Sequence, residues 1–368
     1  MTTVLVASAL IGFVSLVSAV FLLIAERKLL NYGICKLDIN DGEKLLEVEG
    51  GDTLLNGLRS QNIFIPSACG GRGTCAYCKV KILEGGGPLL PTEEPLLEPA
   101  EIKDDIRISC QCKIRNNMKI AIPAELLSVK EYRGKVQSML DLTHDIKLVR
   151  IKLIDPSLIE FTPGQYVQLK APPYKGVTET VYRAYSIASS PNEKNALELI
   201  IRKVPDGICT TYVFEHLKEG DEVFLNGPYG DFRLSDETER EMVWIAGGSG
   251  MAPFWSMLRY MDEEGISRKC TYFFGAVEIK DMFYLEELAT MAKKHDWFTF
   301  MPALSGADPG PDWQGEQGLI TEVVAKHIGD GGEKEGYLCG SPGMIDASIA
   351  VLTEHGVSND RIYYDKFA

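Results

Sequence analysis

Cys69-Gly70-Gly71-Arg72-Gly73-Thr74-Cys75-Ala76-Tyr77-Cys78 places three thiols in one short stretch, and Cys110 follows after 31 intervening residues. Thiolates are soft ligands, and four of them can hold an iron–sulfur cluster. The plant-type [2Fe–2S] spacing is C-x4-C-x2-C…C, and here the first gap is longer by one residue. Its glycines permit positive φ and close backbone approach, so amide N–H groups can be turned toward sulfur. Structural zinc is the competing reading, but it usually shows two CxxC-like pairs. Cys110-Gln111-Cys112 is a poor second pair. The pattern favours a [2Fe–2S] cluster on Cys69, Cys75, Cys78 and Cys110, with Cys112 as the alternative fourth ligand.

The flanks of this loop read as a small β-grasp domain. Ile34–Ile39 and Leu45–Val48 form a hairpin about the turn signal Asn40-Asp41-Gly42. Thr53–Ser60 has apolar residues at helical spacing, and strands are expected at Lys79–Ile82, Ile106–Ser109 and Met118–Ile122. Beyond Tyr132, alternating apolar residues at Ile146–Leu153, Tyr166–Lys170 and Leu197–Arg202 predict an antiparallel β-barrel. From about Glu241 the apolar runs Met242–Ala246, Thr271–Phe274, Phe298–Pro302 and Gly336–Cys339 alternate with helical segments. That alternation predicts an α/β domain with a parallel sheet.

Two elements suit a flavin. Arg183-Ala184-Tyr185-Ser186 ends a barrel strand. Arginine can hold a diphosphate bidentately, tyrosine can lie along a flat ring, and serine can bond a ring nitrogen. Asp206-Gly207-Ile208-Cys209-Thr210-Thr211 is a glycine turn with hydroxyls that opens a helix, a phosphate-binding arrangement. Two further loops, Gly247-Gly248-Ser249-Gly250-Met251-Ala252-Pro253 and Cys339-Gly340-Ser341-Pro342-Gly343-Met344, each follow an apolar strand. Such loops at strand carboxyl ends can line one nucleotide crevice. Glu278, in the loop after the second strand of this sheet, could accept a ribose 2′-OH and repel a 2′-phosphate, which favours NADH over NADPH; Lys280 nearby opposes that preference.

These motifs, with Gly227-Pro228-Tyr229-Gly230-Asp231-Phe232, resemble the ferredoxin–NADP⁺ reductase superfamily. The whole chain resembles the F subunits of sodium-translocating NADH:quinone oxidoreductases, through Gly85-Gly86-Gly87-Pro88-Leu89-Leu90-Pro91-Thr92-Glu93 and the closing Tyr364-Asp365-Lys366-Phe367-Ala368. The resemblance implies an electron path from NADH to FAD to [2Fe–2S] to membrane-embedded accepting subunits, with ubiquinone reduction and sodium transport in the assembled complex. It implies FAD on Arg183, Tyr185, Ser186, Gly207 and Thr210, and NADH on Gly247, Gly248, Gly250, Cys339 and Gly340. Tyr185, Ser186, Cys339 and Phe367 would stand at the hydride-transfer position, with Phe367 covering the flavin face. Two departures stand out: the segment from Gly164 to Arg183 lacks a long insertion, and the cysteine loop carries Arg72 and Thr74 in place of glycine and serine. A reductase feeding an oxygenase is the alternative function. A non-catalytic assembly role suits the chain less well, because the motifs are complete.

A net charge of −14 argues against nucleic acid as a partner. Val4 to Ala25 is free of charge and, as a helix, would span about 33 Å, enough for the bilayer hydrocarbon. A cleaved signal peptide would carry a basic n-region, whereas here the cations, Arg27 and Lys28, follow the run. The expectation is a single-pass anchor in the inner membrane with the remaining domains in the cytoplasm. A lone charge-free helix offers no ion path of its own. The expected order is an anchor over 1–28, a ferredoxin-type domain over 34–127, an FAD-binding barrel over 130–236 and an NAD-binding domain over 237–368.

Overall fold

The computed structural model describes residues 10, 12–21, 32–235, 238–307 and 310–367. Contacts divide the chain into two compact units, one of Met1–Ser67 with Gly71–Val129 and one of Ala68–Gly70 with Lys130–Ala368. Half of the expected anchor, Val4–Ala25, lies outside the described residues; residues 12–21 within it are helical and exposed. Among the described residues no helix is long and apolar enough to cross a membrane.

The first unit is a five-stranded sheet on a short helix. Strands β1 (Ile34–Ile39), β2 (Lys44–Glu49), β3 (Lys79–Glu84), β4 (Ile106–Ile108) and β5 (Met118–Ala121) stand in the order β2-β1-β5-β3-β4. Only the central β1–β5 pair is parallel. The hairpin turn is made by Asn40 and Asp41 at φ 53° and Gly42 at φ 94°, the left-handed conformation these residue types tolerate. The helix Leu54–Ser60 is capped by Thr53, whose hydroxyl accepts from the Asn56 amide. It buries Leu54, Leu55 and Leu58 against Leu37, Ile39, Ile108 and Ile120.

The second unit begins with a barrel. Strands β6 (Lys130–Asp141), β7 (Ile146–Asp155), β8 (Tyr166–Ala171), β9 (Val181–Ser186), β10 (Ala196–Arg202) and β11 (Glu222–Tyr229) run in the order β10-β7-β6-β11-β8-β9. A bridge between Ile187 and Leu199 joins the two ends of this sheet. Inward residues such as Val149, Ile151, Val167, Leu169, Leu199 and Leu225 fill the interior.

The parallel sheet follows, with β12 (Glu241–Gly247), β13 (Cys270–Ala276), β14 (Phe298–Leu304), β15 (Glu316–Gln317), β16 (Lys334–Gly340) and β17 (Ile362–Lys366) in the order β15-β14-β13-β12-β16-β17. Alternate residues bury on opposite faces. Trp244, Tyr272 and Tyr337 pack with the helix Met251–Glu264, and Val243, Ile245 and Leu338 pack with Ile320, Val324, Ile345 and Leu352. Barrel residues Ile146, Ala188, Ile200 and Phe232 join the first of these cores, so the barrel and this sheet share apolar packing. The helix Met251–Glu264 is also fastened to the barrel by polar contacts: Arg259 to Glu198 at 2.6 Å and the Ser256 hydroxyl to the Ser189 carbonyl at 2.7 Å.

Candidate functional site

The cysteine loop is held open by its backbone. Gly70, Gly71 and Gly73 have φ of 69°, 91° and 72°, and Ala76 has φ 58°. A Cβ on Gly71 would stand 3.9 Å from Cys110 Cβ and 3.5 Å from Leu55, so the loop passes over Cys110. The Ser109 amide donates to the Cys78 carbonyl at 2.8 Å, which ties the Cys110 segment to the loop from the other side. Cys69, Cys78 and Cys110 are buried and Cys75 is partly so. Among the described residues no three His, Cys, Asp or Glu side chains form a ready metal cage. The fit to a cluster rests instead on the positive-φ glycines of the loop and on Cys78 and Cys110, soft donors enclosed in one core. Cys112 turns elsewhere: its thiol meets the Gly86 carbonyl at 3.8 Å, and burial pushes its pKa up, so it stays protonated. Of the two thiols in Cys110-Gln111-Cys112, Cys110 is the one beside the loop.

Strand β9 delivers Arg183, Tyr185 and Ser186. The Ser186 hydroxyl is buried with no partner among the described residues, which suits it to a polar ring atom of a flavin. Arg183 is partly buried and donates from one terminal nitrogen to the Tyr182 carbonyl at 2.8 Å. Tyr185 packs against the barrel core that also holds Cys209 of the neighbouring glycine turn. That turn admits no side chain at Gly207, where a Cβ would fall 2.6 Å from Thr210 Oγ1. Thr210 lies buried within the same turn. Its hydroxyl bonds the Val204 carbonyl and amide, both at 3.2 Å, and the Gly207 carbonyl at 3.1 Å. It shapes the turn.

The two nucleotide loops meet. Strands β12 and β16 are parallel neighbours, with Ala246 beside Cys339. A Cβ on Gly250 would lie 2.2 Å from the Cys339 carbonyl oxygen and 3.1 Å from the Gly340 nitrogen, so only glycine lets the loops close to this distance. Gly248, at φ 56°, sits where a Cβ would be 3.4 Å from an Arg202 terminal nitrogen. Sequence reasoning misses Arg202, which looks like an ordinary polar strand end. It nevertheless brings a cation to the loop, paired through Nε with Asp145 at 2.7 Å. Gly247 is extended, at φ −147°. Cys339 is fully enclosed in the core, and burial raises its pKa well above the ordinary thiol value; it turns its carbonyl to Gly250. The Phe367 amide donates to the Gly340 carbonyl at 2.9 Å, and its side chain packs partly buried on the sheet core that contains Cys339. Glu278 follows β13, exposed and paired with Lys280 at 2.8 Å, so the two opposed charges offset each other.

Comparisons with known proteins agree with these three parts. Residues 37–115 match the 2Fe-2S iron-sulfur cluster binding domain, 133–234 the oxidoreductase FAD-binding domain and 244–349 the oxidoreductase NAD-binding domain. The cofactors are a [2Fe–2S] cluster, FAD and NADH. Among solved structures, the cytochrome P450 reductase GcoB of Amycolatopsis is similar at 28% identity and TM-score 0.72, over 90% of this chain and 98% of that one. The ferredoxin reductase in carbazole 1,9a-dioxygenase is similar at 27% identity and TM-score 0.69, over 91% and 99%. Curated relatives match across almost the whole length. The F subunit of the Na(+)-translocating NADH-quinone reductase of Klebsiella pneumoniae is 35% identical over 96% of each chain. Its counterpart in Pseudomonas aeruginosa is 36% identical over 94% of each. The chain belongs to the family of Na(+)-translocating NADH-quinone reductase F subunits.

Proposed function

We propose that this chain is the NADH-oxidising component of a sodium-translocating NADH:quinone reductase, passing electrons from NADH to FAD, to [2Fe–2S] and on to membrane-embedded subunits. The observation that carries the nicotinamide half is the closure of Gly250 on Cys339, which builds one crevice from two loops at strand carboxyl ends. FAD, held by Arg183, Tyr185, Ser186 and the Gly207 turn, would supply the conversion between the two-electron chemistry of NADH and the one-electron chemistry of a [2Fe–2S] cluster.

Each residue set has a task. Cys69, Cys75, Cys78 and Cys110 are the cluster ligands. Arg183 and the Gly207 turn take the FAD phosphates, Tyr185 lies along the ring, and the Ser186 hydroxyl bonds a ring heteroatom. Gly247, Gly248, Gly250 and Gly340 give the dinucleotide backbone room, and Arg202 supplies charge beside Gly248. Phe367, tied to Gly340 through its amide, shields the flavin until the nicotinamide displaces its ring. Glu278 favours NADH, weakened by its pairing with Lys280. The ferredoxin-type part covers residues 34–127, the FAD-binding part 130–236 and the NAD-binding part 237–368. Residues 4–25 anchor the chain once in the inner membrane with the catalytic parts in the cytoplasm; Phe13 and Phe21, 65% and 69% exposed, suit a lipid surface.

The likeness to two oxygenase-associated reductases favours a second reading, in which the cluster feeds an oxygenase. The apolar run at 4–25 and the full-length match to F subunits support the first. Anaerobic NADH added to the full chain in detergent should bleach the flavin and then produce the reduced-cluster EPR signal. Adding membranes that contain the remaining subunits should give sodium-stimulated quinone reduction. An unbleached flavin would refute the NADH-to-FAD step. Faster delivery to an oxygenase component than to those membranes would establish the second reading.

A further inference from the structure

We propose that the buried Glu93–Arg107 ion pair supports the Cys110 segment and that the balance of its two charges maintains the reduction potential of the iron–sulfur cluster. Glu93 is fully buried and Arg107 nearly so. Glu93 Oε1 accepts from Arg107 Nε at 2.9 Å and from the Ile108 amide at 3.0 Å; Oε2 accepts from Arg107 Nη2 at 2.5 Å and from the Leu90 amide at 3.0 Å. Arg107 Nη1 donates to the carbonyls of Gly86 and Gly87 at 3.1 and 3.0 Å. The pair therefore clamps the loop from Gly86 to Glu93 onto β4, two residues before Cys110.

Gln111 extends the same lock on the far side of Cys110. Its side chain bonds Thr92 through both the threonine hydroxyl and carbonyl. It also stands against the cysteine loop, where a Cβ on Gly73 would fall 2.7 Å from Gln111 Nε2. Cys110 is thus bracketed by Arg107 and Ile108 on one side and Gln111 on the other, all tied to Glu93 or its neighbour. Rigid support around a ligand is what fixes a metal centre and tunes it. Buried charges act through a low dielectric, so a lone charge left here would be felt at the cluster.

The inference rests on the cluster reading above, and the test separates the two. The full chain carrying Glu93→Gln, Arg107→Gln or Arg107→Lys is purified with its cofactors, and iron and acid-labile sulfide are measured. The midpoint potential is then titrated by the reduced-cluster EPR signal. Glu93→Gln removes a negative charge and should raise the potential; Arg107→Gln removes a positive charge and should lower it; Arg107→Lys should stay near wild type. Breaking a buried pair from one side is strongly destabilising. Should either glutamine variant lose its cluster, the double variant Glu93→Gln/Arg107→Gln leaves no unpaired charge and should return the potential to near wild type. Shifts of the same sign in both single variants, no shift in either, or a displaced potential in the double variant would overturn the proposal. Wild-type protein without iron and sulfide would instead refute the cluster itself.

Discussion

Tyr185 and the buried Cys209 pack in one core, joining strand β9 to the glycine turn that follows β10. Burial drives the Tyr185 pKa well above the phenol value and that of Cys209 up to about 11, so both groups stay protonated in neutral solution. This packing sets the distance between the two FAD-binding elements. Cys209→Ala should weaken FAD binding by about 2–10-fold, since removing one small buried group costs roughly 0.5–1.5 kcal/mol. Cys209→Val, which refills the space with apolar atoms, should restore most of it. Titration of flavin-free protein with FAD measures both.

Ser186 should behave oppositely with and without flavin. Its buried hydroxyl has no partner among the described residues, which penalises the flavin-free state. Ser186→Ala should therefore leave the melting temperature of flavin-free protein unchanged or raise it, while slowing flavin reduction by NADH about 10-fold or more. Calorimetry on flavin-free protein and stopped-flow on the loaded protein give the two numbers. A lower melting temperature together with a normal rate would show the hydroxyl to be structural.

Much of this is legible in the sequence. The cysteine loop, the hairpin at Asn40–Gly42 and the parallel sheet all announce themselves through local spacing and turn chemistry. Strand β6 does not, because Lys130–Asp141 intersperses charges and Gly134 among few apolar residues. Its existence depends on pairing with β7 and β11 on its two edges. Glu93 reads locally as one acid among several; its burial comes from Arg107, fourteen residues on. Arg202 likewise gains meaning only when β10 ends beside Gly248. Thr210 belongs to its turn as the motif suggests, but hydroxyl direction is not written in a motif.

Gly250→Ala should separate nucleotide use from flavin binding. The added methyl would press on the Cys339 carbonyl, and overpacking of this kind costs about 1–3 kcal/mol. FAD content should stay at wild-type levels. The apparent affinity for NADH should fall about 5–100-fold in equilibrium or steady-state measurements, since the crevice is forced open. Loss of FAD from the variant would contradict this division of labour.

Asp365 gives a pH signature. It lies beside Cys339 in the β16–β17 register, and burial pushes its carboxyl up to about 6 from an ordinary value near 3.8. A carboxyl raised on folding favours the protonated protein. Its stabilising contribution is complete below 3.8 and is lost as pH rises through about 6. Asp365→Asn should abolish that part of the pH dependence and melt higher than wild type above about pH 6. Thermal melts of both proteins between about pH 4 and pH 8 check the sign.

The contact between Gly250 and Cys339 has a bearing on how such chains can change. The two lips of the crevice come from segments almost ninety residues apart, yet a single methyl on one would displace the backbone of the other. Neither can drift alone. A hybrid gene that took residues 240–265 from one relative and 334–345 from another would join halves shaped for different partners. Exchange between relatives is therefore tolerated best where both segments travel together.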